Sequence, residues 1–139
     1  QTGKKKFGEV EKYLSECYPQ YKFNKNLIVR PYFNDMVSVL KSSDIAVSRA
    51  GSLSISELCA SGVATIFVPY PYAAADHQRK NARYMEQNNA GIYLEDNEVI
   101  KLYNMISELA NDNKKLLTIQ KNALKLAKYD GIEEIVNKF

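Results

Sequence analysis

The sequence of 139 residues has one histidine, two cysteines and no tryptophan. It contains no D-x-D triplet, and no cluster of histidine, cysteine and carboxylate at metal-ligand spacing. Those scarcities argue against a resident metal centre and leave no Ser–His–Asp or Cys–His nucleophile to assemble. Cys17 and Cys59 lie far apart without a CxxC spacing and fall in helical apolar patterns. The expectation is two buried thiols in a reducing compartment, hence a cytoplasmic protein. No apolar run approaches the roughly 20 residues needed to cross a bilayer. The opening Gln1–Thr2–Gly3–Lys4–Lys5–Lys6 has charges but no apolar stretch behind them, unlike a signal peptide. The net charge of +3, from 19 basic and 16 acidic residues, is too small and too scattered to imply a nucleic-acid partner. Internal repeats, low-complexity tracts and linkers are missing as well.

The residues present describe an ordinary globular composition, 45% hydrophobic and 25% charged, of one-domain length. Four short apolar runs read as buried parallel strands: Leu27–Val29, Ile45–Val47, Ala64–Val68 and Gly91–Leu94. Helical periodicity fills the intervals, at about Phe7 to Tyr18, Asn34 to Ser42, Ser52 to Ser61 and Asp76 to Asn88. Two further helices follow near Glu98 to Ala110 and Asn113 to Lys128, with a short one after Gly131. Strand–helix alternation with short links predicts an α/β fold, a Rossmann-like parallel sheet with helices on both faces, joined by right-handed crossovers. Gln1–Thr2–Gly3 reads as the polar end of a strand whose body is absent, and the Gly-rich first turn usual in such domains is absent too. The chain is therefore expected to be a piece of a longer protein.

Ligands of open α/β sheets bind beyond the carboxyl ends of the strands. Three segments follow those ends: Arg30–Asn34, Ser48–Gly51, and Pro69–Tyr72 continuing to Gln78. The most informative is Ser48-Arg49-Ala50-Gly51-Ser52-Leu53-Ser54-Ile55-Ser56-Glu57, where a strand turns through a glycine into a helix. Such a helix start offers unpaired N–H groups and a positive dipole end to a phosphate or diphosphate. The competing reading is an ordinary helix start with Ser52 as N-cap. Ser54, Glu57 and Ser61 share one helix face, opposite Ile55, Leu58 and Cys59. Glu57 is thus either a carboxylate for ribose hydroxyls or a solvated helix glutamate. His77 and Gln78 follow Asp76, an expected N-cap, and a hydrogen-bonding role suits them better than general base catalysis. Glu95-Asp96-Asn97-Glu98 reads as a cap and first turn. Lys4–Lys6 is a solvated helix approach or a contact for anionic lipid, and the tyrosines suggest packing more than base stacking.

The Ser48–Glu57 segment, followed by Phe67-Val68-Pro69-Tyr70-Pro71-Tyr72 and Ala75-Asp76-His77-Gln78-Arg79-Lys80-Asn81-Ala82, resembles the MurG family of GT-B glycosyltransferases. The opening Gln1-Thr2-Gly3 and the turn Tyr32-Phe33-Asn34-Asp35-Met36 are similar to it as well. The resemblance implies the donor-binding, C-terminal part of an enzyme that moves N-acetylglucosamine from UDP-GlcNAc onto lipid I, giving lipid II for peptidoglycan. It places a backbone group of Phe33 on uracil, Ser52, Leu53 and Ser54 on the diphosphate, and Glu57 on the ribose. His77 and Gln78 fall on the sugar hydroxyls, although many members have glutamine where this chain has His77, and Thr2 falls near the nucleotide. Arg49 matches the motif arginine, with no role assigned. It implies no cofactor, and no catalytic residue within residues 1–139. The lipid I acceptor and the inner face of the plasma membrane would be engaged through an N-terminal domain this sequence lacks, so the chain alone is expected not to turn over. Two other readings stand beside it: a different UDP-sugar enzyme on the same scaffold, and a stand-alone UDP-sugar-binding subunit needing a membrane-bound partner chain.

Overall fold

The structure, a computed structural model, describes residues 1–127, with Ala75 by its backbone alone. The short helix expected after Gly131 lies outside the described residues. The chain divides into two compact units, Gln1–Val39 and a second from Leu40 onward. No helix of the described residues is long and apolar enough to cross a membrane.

In the first unit, helix α1 (Phe7–Cys17) buries none of its residues, and Cys17 is exposed. This corrects the expectation of a buried thiol there. The apolar stripe that carries Cys17 opens onto a cavity of about 690 Å³ lined by Leu14, Tyr21, Phe23 and Leu27 rather than onto a packed neighbour. Leu27–Val29 is a second correction, because it joins no sheet. Leu27 is 43% and Ile28 66% exposed. An apolar run becomes a strand only where a neighbouring backbone pairs with it. Here the chain turns instead, Leu27 N donating to Asn24 O at 3.1 Å. Thr2 N and Gly3 N donate to Arg30 O and Pro31 O, at 3.1 and 3.0 Å, so the opening residues meet the segment just beyond it. Helix α2 (Met36–Lys41) starts later than expected, where Asp35 Oδ1 accepts from Ser38 N at 3.0 Å.

The second unit holds three parallel strands, β1 (Ile45–Ser48), β2 (Ala64–Phe67) and β3 (Ile92–Tyr93), in the order β1-β2-β3. The described sheet thus has three strands, not four. Ile45 pairs with Ala64, Ser48 with Phe67, and Ile66 with Ile92. Helix α3 (Ser52–Ser61) and α4 (His77–Gln87) flank β2 in sequence, and α5 (Leu102–Asn111) and α6 (Asn113–Leu126) follow β3. All four residues of β2 are buried, as for a central strand covered on both faces. Its side chains alternate between the layers. Phe67 packs with Leu58 and Cys59 of α3 and with Ala82 and Met85 of α4. Ala64 meets Leu109 of α5 and Leu116 and Ile119 of α6, and Ile66 meets Leu102, Met105 and Ile106. The parallel sheet with helices on both faces is the expected α/β architecture.

Two glycines set this packing. Gly62 ends α3 with φ +65°, a left-handed conformation that side chains resist, and its N–H donates to Cys59 O at 3.0 Å. Gly91 lets β3 approach β2. A Cβ there would stand 2.6 and 2.8 Å from atoms of the Phe67 ring.

Candidate functional site

Because the strands are parallel, the segments leaving β1 and β2 emerge at one edge of the sheet. The first turns into α3. Its backbone is held from two sides: Ala50 is fully buried, and Asn81 Nδ2 of α4 donates to Ala50 O at 3.1 Å. Gly51 is the N-cap residue, with φ −67° and ψ 145° and no side-chain cap. The first intrahelical bond runs from Ile55 N to Gly51 O at 2.9 Å. The N–H groups of Ser52, Leu53 and Ser54 therefore have no intrahelical acceptor. Ser52 is the first helical residue, which overturns its reading as an N-cap. Its carbonyl instead accepts from Ser56 Oγ at 3.1 Å. Gly51 has a backbone conformation any residue adopts, and an added Cβ would meet only Ser54 Oγ at 3.8 Å. Neither backbone nor packing demands glycine there. What the missing Cβ leaves is open access to the row of N–H donors.

Ser52 and Leu53 are exposed, Leu53 at 73%, and Ser54 is half-buried. Glu57 lies one turn further along the face of Ser54, exposed, and pairs with no charged group among the described residues. His77 is exposed at the first position of α4, and Gln78 follows it half-buried. Asp76 stands at the N-cap of α4 as expected, yet at φ 57° and without a capping bond. Its carboxylate accepts from Arg79 at 3.4 Å instead. Gln78 Oε1 accepts from Tyr70 N at 2.9 Å, tying the segment after β2 to the start of α4. With the Asn81–Ala50 bond one turn later, the starts of α3 and α4 are fastened together. The structure thus gathers Ser52, Leu53, Ser54, Glu57, His77 and Gln78 in one unit, at one edge of the sheet.

Thr2 and Phe33 belong to the first unit. There Phe33 N donates to Gln1 Oε1 at 3.1 Å, and Thr2 Oγ1 donates to Gly3 O at 3.2 Å. The Phe33 N–H is therefore engaged by the Gln1 side chain at the opening of the chain.

The charges around the strand ends are paired. The Arg49 guanidinium bonds Asp96. Arg79 Nε lies 3.3 Å from Glu95 Oε1, and Arg83 stands over the Tyr93 ring at 4.6 Å. Tyr93 donates its hydroxyl proton to Glu95. Burial, then the Glu95 carboxylate, push the Tyr93 hydroxyl above its usual range. The acidic run at 95–98 was expected to cap a helix. Glu95 does occupy an N-cap position, of the 3-10 helix Asp96–Lys101, but makes no capping bond. Its run serves mainly as counter-ions. With these guanidinium groups engaged by carboxylates, the attraction for an anion at this edge comes from the N–H row and dipole of α3. Asn81 and Asp96 are the residues sequence reasoning missed. Both lie in runs that stand out in the sequence, Asn81 within Ala75–Ala82 and Asp96 within the acidic run at 95–98, but neither run shows which carbonyl or guanidinium it meets.

Known proteins share the fold of this chain. Residues 1–135 match the model of the glycosyltransferase family 28 C-terminal domain. Three relatives bear the name UDP-N-acetylglucosamine–N-acetylmuramyl-(pentapeptide) pyrophosphoryl-undecaprenol N-acetylglucosamine transferase. That of Marinobacter nauticus is 38% identical over 81% of this chain and 31% of its own length. That of Coxiella burnetii is 33% identical over 98% and 37%. The one from Bacillus pumilus is 37% identical over 94% and 36%. The crystal structure of Acinetobacter baumannii MurG superposes with a TM-score of 0.80 at 26% identity, over 99% of this chain and 39% of that one. The chain spans about a third of the length of the curated relatives it matches.

Proposed function

We propose, from the premise that this chain belongs to the glycosyltransferase family 28 C-terminal domain family, that it is the donor-binding part of a hexosyltransferase. The donor is UDP-GlcNAc and the acceptor lipid I, with lipid II as the product, as the names of its relatives suggest. The observation that carries this reading is the uncapped start of α3, with Glu57 one turn behind it and the start of α4 fastened alongside.

In this reading the diphosphate lies over the N–H groups of Ser52, Leu53 and Ser54. Those donors and the helix dipole favour the charge that grows on UDP as the glycosidic bond breaks. Glu57 accepts hydrogen bonds from the ribose hydroxyls. His77 and Gln78 face the sugar, where Gln78 is already oriented by its bond to Tyr70. Thr2 and Phe33 enter through the family resemblance alone. The reaction is a direct displacement at the anomeric carbon by the acceptor hydroxyl, with inversion. The acceptor and its membrane surface, at the cytoplasmic face, belong to the part of the enzyme beyond the third of its length that this chain spans. Positioning of the acceptor supplies much of the rate of such a transfer.

The test is amide chemical-shift mapping of the chain titrated with UDP. The expected shifts fall on Ser52 to Glu57 and on Tyr70 to Gln78. Shifts confined to the opposite edge of the sheet, around Gly62, Asn89 and Asn113, or no binding at all, would refute the reading.

A further inference from the structure

Arg49 has no role in the site just proposed, yet its side chain makes the longest-reaching set of contacts at the strand ends. We infer that Arg49 is a positioning residue, which clamps the chain leaving β2 and so sets the segment that brings His77 and Gln78 to the donor's sugar. The inference rests on the donor-site reading for its ligand and on geometry for the clamp.

The ladder between the strands ends at Val68, whose N–H donates to Ser48 O at 2.9 Å, and at Leu94, whose N–H donates to Phe67 O at 3.0 Å. Beyond those bonds the carbonyls of Val68 and Pro69 have no strand to meet. Arg49 Nη1 donates to both of them, at 3.1 Å each. The same group is held by Asp96, three residues beyond β3. The guanidinium also stands over the Tyr70 ring, 5.7 Å from its centre. Tyr70 N in turn donates to Gln78 Oε1. One side chain from the end of β1 thus fixes the exit of β2, and the next contact fixes the first turn of α4. All three acceptors meet Nη1, whose two N–H protons they share, while the planar guanidinium lies over the Tyr70 ring, a stacking contact that an ammonium on a flexible stem does not reproduce. With its charge committed to Asp96, Arg49 is a brace for the loop rather than a ligand of the diphosphate.

Those two roles separate in one experiment on the full chain. Arg49→Met, Arg49→Lys and Asp96→Asn are compared with the parent by amide hydrogen exchange without ligand, and by dissociation constants for UDP and for UDP-GlcNAc. In Arg49→Met the Tyr70 amide is expected to exchange about tenfold faster, the scale of one lost hydrogen bond, while Ile66 and Phe67 are unchanged. The ratio of the UDP-GlcNAc to the UDP dissociation constant should rise about fivefold or more, because the sugar contacts ride on the loop and the diphosphate does not. Arg49→Lys should fall between, and Asp96→Asn should move the same way by less. Equal weakening of both nucleotides would make Arg49 a diphosphate ligand and overturn the inference, as would an unchanged Tyr70 amide. Should Arg49→Met fail to fold, the other two variants carry the same readouts. If the parent binds neither nucleotide, the donor-site reading fails, while the exchange of Tyr70 still decides whether Arg49 holds the loop.

Discussion

Replacing Glu57 with alanine separates a ligand-binding carboxylate from a structural one. Glu57 is exposed, pairs with no charged group among the described residues, and lies in the second turn of an α-helix. Its removal costs the fold little: alanine is a better helix former, and the lost interaction with the helix dipole is worth a few tenths of a kcal/mol. The net change in stability should stay within about 0.5 kcal/mol. The ligand side is different, because a charge-assisted hydrogen bond to a ribose hydroxyl is worth about 1.5–3 kcal/mol. UDP affinity should therefore fall roughly 10- to 150-fold. Titration calorimetry with UDP, beside thermal unfolding of the same preparation, measures both quantities. The adjacent residue supplies the contrast. Leu58 is 5% exposed and packs from α3 into the core with Phe67, so Leu58→Ala should cost about 2–5 kcal/mol. That corresponds to a melting temperature lower by roughly 8–20 °C in a chain of this size. A Glu57→Ala protein that melts as early as Leu58→Ala, or that keeps full UDP affinity, would refute the reasoning.

Two further outcomes follow from the packing. Gly91→Ala drives a Cβ to 2.6 Å from the buried Phe67 ring and should destabilise the chain by about 1–3 kcal/mol; denaturant unfolding that matches the parent would show that β3 yields freely. The two thiols should separate by burial: Cys17 is exposed and should react quickly with a thiol reagent in the native state, whereas Cys59 should react only on unfolding. Burial pushes the Cys59 thiol from 9.0 up to about 11. Its folded value lies above its unfolded one, so its share of stability is whole below about pH 9 and lost as pH rises towards 11. Unfolding curves at pH 8 and 10 compared with those of Cys59→Ser would check that sign.

Much of the second unit was legible because its signals are local. Helix α3 spans Ser52–Ser61, the expected range, since glycines bracket an apolar face of period 3.6. The strands β1 and β2 were equally plain as short apolar runs between polar turns, and the edge where they end was where a ligand site was expected. Local signal fails where an outcome depends on a partner distant in sequence. Leu27–Val29 has the composition of a strand, but pairing is a property of two segments, and the described chain brings it no ladder. Cys17 lies on an apolar stripe like that of Cys59, yet only Cys59 has a sheet to pack against. The acidic run at 95–98 does open a helix, as its local pattern predicts, but the partners of its charges are distant. In the folded chain Asp96 answers Arg49, 47 residues away, and Glu95 answers Arg79. Sequence by itself determined the alternation of strand and helix and the glycine-led turn from β1 into α3, because backbone preference and periodicity are set by near neighbours. Only the tertiary structure decided which thiol is buried, which charges are spent on one another and which carbonyls Arg49 holds, because burial and pairing exist only once parallel strands bring distant residues to one edge.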